Sequence, residues 1–193
     1  MSYIVVLHGG KTSVESPKND LFFALFTSLS KKSKIKAAMV YWARNEDEWD
    51  KVFSRDKEKI LRNSKKEIAF LLPISPEELY NILPECDIVY VAGGEARNIE
   101  PLYQQLSSLK EKLDGKVYFG SSMGAFIASQ SYVLSSDDKD TDTVHHGVGL
   151  VKISCLAHWD VEPNKEAKLE LLKKESNLPI ITLNEHEISV IVV

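Results

Sequence analysis

Cysteine is scarce in this chain: there are two among 193 residues, Cys86 and Cys155, far apart and outside any C-x-x-C spacing. That excludes a disulfide framework and a cysteine-ligated zinc site, and it reads as a pair of reduced, structural thiols. Long apolar runs are missing too. None approaches the roughly 18 residues that a membrane span needs, and the opening MSYIVVLHGG has neither a basic leader nor a cleavable apolar core. A cytoplasmic protein without a membrane partner is expected. Excess positive charge is also absent, because 24 Lys and Arg face 28 Asp and Glu for a net charge of −4. The short SKKSKIK stretch at 30–36 is no stripe for a phosphate backbone, so nucleic acid is not an expected partner. Internal repeats, low-complexity tracts and linker-like stretches are lacking, and the length predicts one domain over residues 1–193 with one sizeable core.

What is present is alternation. Short β-branched runs recur at YIVVL (3–7), IKAAMVY (35–41), EIAFLL (67–72), DIVYVA (87–92) and KVYFG (116–120), separated by longer segments of helical spacing. This pattern predicts an α/β fold of three layers, a mostly parallel sheet with helices on both faces. Ser75-Pro76-Glu77-Glu78 supplies a capping serine, a first-turn proline and a capping-box glutamate for a helix to about Leu83. A second helix is expected over 46–62, with Trp49, Val52, Phe53, Ile60 and Leu61 facing the core. After Tyr132 the pattern becomes less regular: a polar loop (135–147), one or two strands in VGLVKISCLAHW, a helix in PNKEAKLELLKKE, then strands in IITL and ISVIVV.

Gly120-Ser121-Ser122-Met123-Gly124 fits G-x-S-x-G, the sharp strand-to-helix turn that exposes a serine oxygen. In an open parallel sheet the carboxyl ends of the strands are where ligands bind. Two other loops predicted at that edge are glycine-rich, His8-Gly9-Gly10 and Gly93-Gly94. An acyl-transfer serine needs a base and N–H donors for the oxyanion, and these loops suggest the Met123 N–H with Gly94 or Gly93 as the second donor. Of five histidines, His158 ends a strand-like segment after an acidic loop. It thus gives the order Ser, Asp, His, with Asp137 or Asp138 as the orienting acid. The acidic run beginning Asp138-Lys139-Asp140 starts like a calcium loop but has Thr143 at its sixth position and Gly149 at its twelfth, so no metal site follows.

FGSSMGAFIA, Asp137 and GVGLVKISCLAHWD resemble the nucleophile turn, triad acid and Gly-x-Gly-Leu…His segment of the dipeptidase E and cyanophycinase-type serine peptidases. The spacings, 137 − 122 = 15 and 158 − 122 = 36, are similar to the family's. VYVAGGEARNI resembles the family strand that ends in a Gly-Gly-Gly-Asn-Thr type loop. The resemblance implies a class I glutamine-amidotransferase-like (flavodoxin-like) fold with a nucleophile elbow. It implies a Ser122, His158, Asp137 triad, no metal or cofactor, and small peptides as substrate, in the dipeptidase branch those with an N-terminal aspartate. Three positions depart from the family: Met123 stands where alanine is usual, and Glu95-Ala96 replaces Asn-Thr. Glu95 brings a carboxylate that opposes an acidic substrate and suits a substrate's free amine. A pocket for an acidic side chain would need a cation, for which Arg44 and Arg97 are candidates after strand ends. Two other readings compete: an α/β-hydrolase-type esterase with His186 as base, and a non-catalytic binding protein whose site Met123 and Glu95 have altered. Oligomeric state is not legible in the sequence.

Overall fold

A computed structural model describes residues 2–136 and 138–193. In chain order its strands and α-helices are β1 (Ile4–His8), α1 (Pro17–Ser28), β2 (Lys34–Val40), α2 (Trp49–Arg62), β3 (Glu67–Leu71), α3 (Pro76–Ile82), β4 (Ile88–Val91), α4 (Ala96–Ile99), β5 (Val117–Ser121), α5 (Met123–Ala128), β6 (Ser131–Tyr132), β7 (Ser154–Leu156), α6 (Lys165–Glu175), β8 (Ile180–Thr182) and β9 (Ile188–Val192). The main sheet has the order β3-β2-β4-β5-β1-β9. Its first five members are mutually parallel, and β9 runs antiparallel to β1 along one edge. The irregular tail folds into a second sheet, β6-β7-β8, which is parallel throughout.

The three-layer architecture follows from strand period. Because successive side chains point to opposite faces, Val5 and Leu7 of β1, Ala38 and Val40 of β2, and Val89 and Val91 of β4 fall into one buried cluster with Leu79, Ile99 and all of α5 but Gly124. Their neighbours Val6, Ala37, Met39, Ile88 and Tyr90 fall into another with Phe22, Phe23 and Phe26 of α1 and Val52 and Ile60 of α2. Burying each large apolar side chain there contributes about 1.5–3 kcal/mol. A third, smaller cluster joins Val133, Leu156 and Leu172 under α6.

Local signals place the helices. Ser16 accepts from the Asn19 N–H at 3.1 Å, with Pro17 at the first helical position, so α1 starts with a satisfied cap. Ser75 accepts from Glu78 N–H at 3.2 Å, while the Glu78 carboxylate reaches back to the Ile74 N–H at 2.8 Å, one residue earlier than a standard capping box. The helix expected over 46–62 begins with a 3₁₀ turn, Glu46–Glu48, before α2 proper. Leu61, expected in the core, lies instead on the outer face at 44% exposure, because it sits beside Ile60 and a helix turns by about 100° per residue. No helix among the described residues is long and apolar enough to cross a membrane.

Candidate active site

β5 is bordered by β4 and β1, so the loops leaving the carboxyl ends of all three strands meet at one point. Ser122 leaves β5 with φ 51° and ψ −109° and caps α5 directly. That strained elbow leaves Ser121 buried against His8 and presents the Ser122 Oγ to solvent-accessible space. Its own backbone is pinned by the Ser122 N–H donating to the His8 carbonyl at 2.8 Å. Close packing demands glycine around it: a Cβ on Gly120 would lie 2.3 Å from the Gly124 carbonyl oxygen, and one on Gly124 would lie 2.1 Å from the Val91 carbonyl oxygen.

Ser122 Oγ lies 2.9 Å from His158 Nε2. His158 follows β7 with φ 57°, held there by its N–H donating to the Gly9 carbonyl at 3.2 Å. Its ring rests on Gly10, where φ is 125° and any Cβ would come within 2.1 Å of the imidazole. On the far side of the ring, Nδ1 lies 3.0 Å from Glu185 Oε1. Glu185 is itself positioned by its N–H donating to Asp160 Oδ1 at 2.8 Å. Serine, imidazole and carboxylate therefore form one continuous relay, with Nδ1–H facing the acid and Nε2 free to accept the serine proton.

Of the two acids expected from sequence, Asp137 lies outside the described residues. Asp138 turns to the Ala96 N–H, 3.5 Å away, and lines the cleft in front of the relay. Glu185, the carboxylate in contact with His158, follows the histidine in the chain and so falls outside the Ser, Asp, His order expected from sequence. The signal for it is topological. Because β9 is antiparallel to β1 and pairs Ile188 with His8, the turn before β9 must lie at the carboxyl end of β1, beside the elbow. His186, the base in the esterase reading, instead directs Nδ1 to Asn19 Oδ1 at 3.2 Å.

The loop after β4 runs alongside. A Cβ on Gly93 would sit 3.0 Å from Ser122 Cβ, and one on Gly94 would sit 2.1 Å from the Ala43 carbonyl oxygen. Among the described residues, no turn, loop or cap carbonyl takes the N–H of Gly94 or of Met123. Both are free to donate. Met123 is buried and narrows the wall of a cleft of about 460 Å³ that also holds Glu95, Glu100 and Asp138. Glu95 pairs with Arg97 at 2.5 Å, and Glu100 Oε1 accepts from Tyr132 Oη at 2.6 Å and lies 2.8 Å from His145 Nδ1. Beneath the site, His8 is fully buried, and desolvation is the main reason its pKa falls to about 4. No three His, Cys, Asp or Glu side chains among the described residues are grouped to hold a metal ion.

A serine oxygen on a strand-to-helix elbow, an imidazole on it and a carboxylate behind the imidazole make up the arrangement that a serine hydrolase uses, here at the carboxyl edge of a flavodoxin-like sheet. The sequence profile of peptidase family S51 matches residues 5–192, and the chain belongs to that family. It is a serine-type peptidase. Its fold is shared by the crystal structure of a candidate peptidase E of Listeria monocytogenes EGD-e, with TM-score 0.64 and 21% identity over 100% of this chain and 98% of that one. A peptidase from an acI-B1 Actinobacterium superimposes with TM-score 0.62 and 17% identity, over 98% of this chain and 82% of that one. No curated protein sequence matches the chain.

Proposed function

We propose that this peptidase cleaves small peptides with a free N-terminus, using Ser122 as nucleophile, His158 as general base and then general acid, and Glu185 as the orienting acid. The continuous contact Ser122 Oγ to His158 Nε2 to Glu185, at 2.9 and 3.0 Å, is the observation that carries this reading. The tetrahedral oxyanion is held by the N–H groups of Met123 and Gly94. Among the described residues, the cleft in front of Ser122 is lined by four carboxylates, Glu95, Glu100, Asp138 and Asp140, against two cations, Arg97 and Lys139, of which Arg97 pairs with Glu95; the acidic excess suits the ammonium of a peptide's first residue and weighs against an aspartate side chain beside it.

The test is steady-state hydrolysis of free and N-blocked dipeptides and tripeptides, Asp-X included. Ser122→Ala and His158→Ala should each remove about 10⁴-fold or more of kcat, and Glu185→Gln about 10²–10⁴-fold through loss of the correct tautomer. Full activity of Glu185→Gln with loss in Asp137→Asn would return the acid to the loop after Leu134. Equal cleavage of blocked and free substrates would sink the amine assignment.

A further inference from the structure

A second cleft, of about 340 Å³, opens on Ser122 and shares with the first only Gly94, Glu95, Ser122 and His158. Among the described residues its charged lining is mainly cationic, where that of the first is mainly acidic: Lys11, Arg44 and Arg55, with Glu95 as the one carboxylate, and that carboxylate is engaged by Arg97. Arg55 is built into the fold. Its Nε and Nη2 both donate to Asp56 Oδ1, at 2.9 and 2.7 Å. Asp56 is fully buried, and its other oxygen accepts from Tyr90 Oη at 3.0 Å and Tyr41 Oη at 3.3 Å. A carboxylate that is dehydrated in a core and given four donors is a costly way to gain stability, since an apolar replacement usually does as well. What it does supply is an arginine with one edge clamped and Nη1 left over, pre-organised for a planar anion. The ion-pair partner of Arg44, Glu48, is 4.0 Å away, too far for a strong pair.

We infer that this cationic cleft receives the free C-terminal carboxylate of the peptide, with Arg55 as the specificity-determining residue and Arg44 and Lys11 beside it. This rests on the peptidase reading above. The amine and the side chain of a substrate's first residue both hang from the carbon before the scissile carbonyl, whereas the leaving group hangs from the nitrogen after it. With the ammonium in the cleft of Glu100, Asp138 and Asp140, the other cleft at Ser122 takes the leaving-group side. In a dipeptide that side ends in a carboxylate. The two clefts together measure a peptide by its two opposite charges and favour the shortest one.

The experiment compares matched Xaa-Ala and Xaa-Ala-NH₂ substrates, spanning the standard first residues, in wild type, Ser122→Ala, Arg44→Gln and the paired Arg55→Gln/Asp56→Asn. The paired variant removes the clamp without leaving a lone buried charge. Wild type should favour the free acid over the amide by about tenfold to hundredfold in kcat/KM, the scale of a charge-assisted contact, mostly through KM. The paired variant should bring that ratio close to unity, and Arg44→Gln should lower it part of the way. An equal rate on acid and amide in wild type, with cleavage still dependent on Ser122, overturns the carboxylate assignment alone. Cleavage that survives Ser122→Ala overturns the peptidase reading itself. If Asp-Ala-NH₂ is preferred over Asn-Ala-NH₂ and the paired variant erases that preference, the cleft reads a side chain and the inference is wrong.

Discussion

At the scale of single residues, the site is held by positions where one atom more would not fit. Gly10 is the sharpest case, because its φ of 125° is a glycine conformation and a Cβ there would fall 2.1 Å from His158 Cε1. Gly10→Ala must push the imidazole off Ser122 or bend the loop that carries it. A displacement near 1 Å commonly costs about 10² in rate, so kcat should fall at least that far. KM should change little, since neither of the two clefts at Ser122 is lined by Gly10. Measuring kcat and KM separately checks this, and a rise in KM at constant kcat would show that the ring had not moved. Met123, by contrast, is tolerated in the elbow because its buried side chain packs into the cluster under α5 and leaves its N–H unobstructed.

At the scale of elements, the relay depends on two loops being tied together through α1. Asn19, buried in the first turn of α1, donates from Nδ2 to the Lys11 carbonyl at 2.9 Å and the Val14 carbonyl at 2.7 Å. Its Oδ1 is then left facing His8 Nε2 at 2.9 Å and His186 Nδ1 at 3.2 Å, so both rings donate to it. His8 is thereby fixed with Nδ1 as acceptor, and the Gly10 N–H donates to it at 3.1 Å. One side chain thus joins the loop under His158 to the turn that carries Glu185. Asn19→Ala should lower stability by roughly 1–3 kcal/mol, from the buried donors it orphans. It should also reduce kcat by loosening Glu185. Denaturant melts alongside turnover test the pairing, and a variant that is destabilised yet fully active would show that the turn is held by other contacts.

At the scale of the whole molecule, His8 couples the fold to pH. Burial, opposed in part by the Asn19 hydrogen bond and reinforced by His186 and His158, lowers its pKa from 6.5 to about 4. Between those values the unfolded chain binds a proton that the folded protein refuses. The contribution of His8 is therefore intact above 6.5 and is lost as pH falls toward 4, a total of about 3 kcal/mol at most. The melting temperature should drop across that window, and the drop should be shallower in His8→Gln. Coincident slopes for the two proteins would show that carboxylates alone set the acid limit.

The sequence by itself determined the α/β alternation, the serine elbow and the glycine loops beside it, because each is a local pattern whose geometry is set by a few neighbouring residues. The strand runs and the Ser75 cap lie where expected for the same reason. His158 stood out only by chain order, and the fold is what brings it to 2.9 Å from Ser122. Only the tertiary structure decided the partner of His158. Glu185 stands 27 positions beyond it and reaches it because an antiparallel edge strand returns the chain to the carboxyl end of β1. The cationic cleft is equally invisible along the chain: Lys11, Arg44 and Arg55 come from separate segments after β1, after β2 and within α2. Spacing along a sequence specifies turns and helix faces. Which distant side chains share a charge or a proton is settled by how the sheet closes over its edge strands.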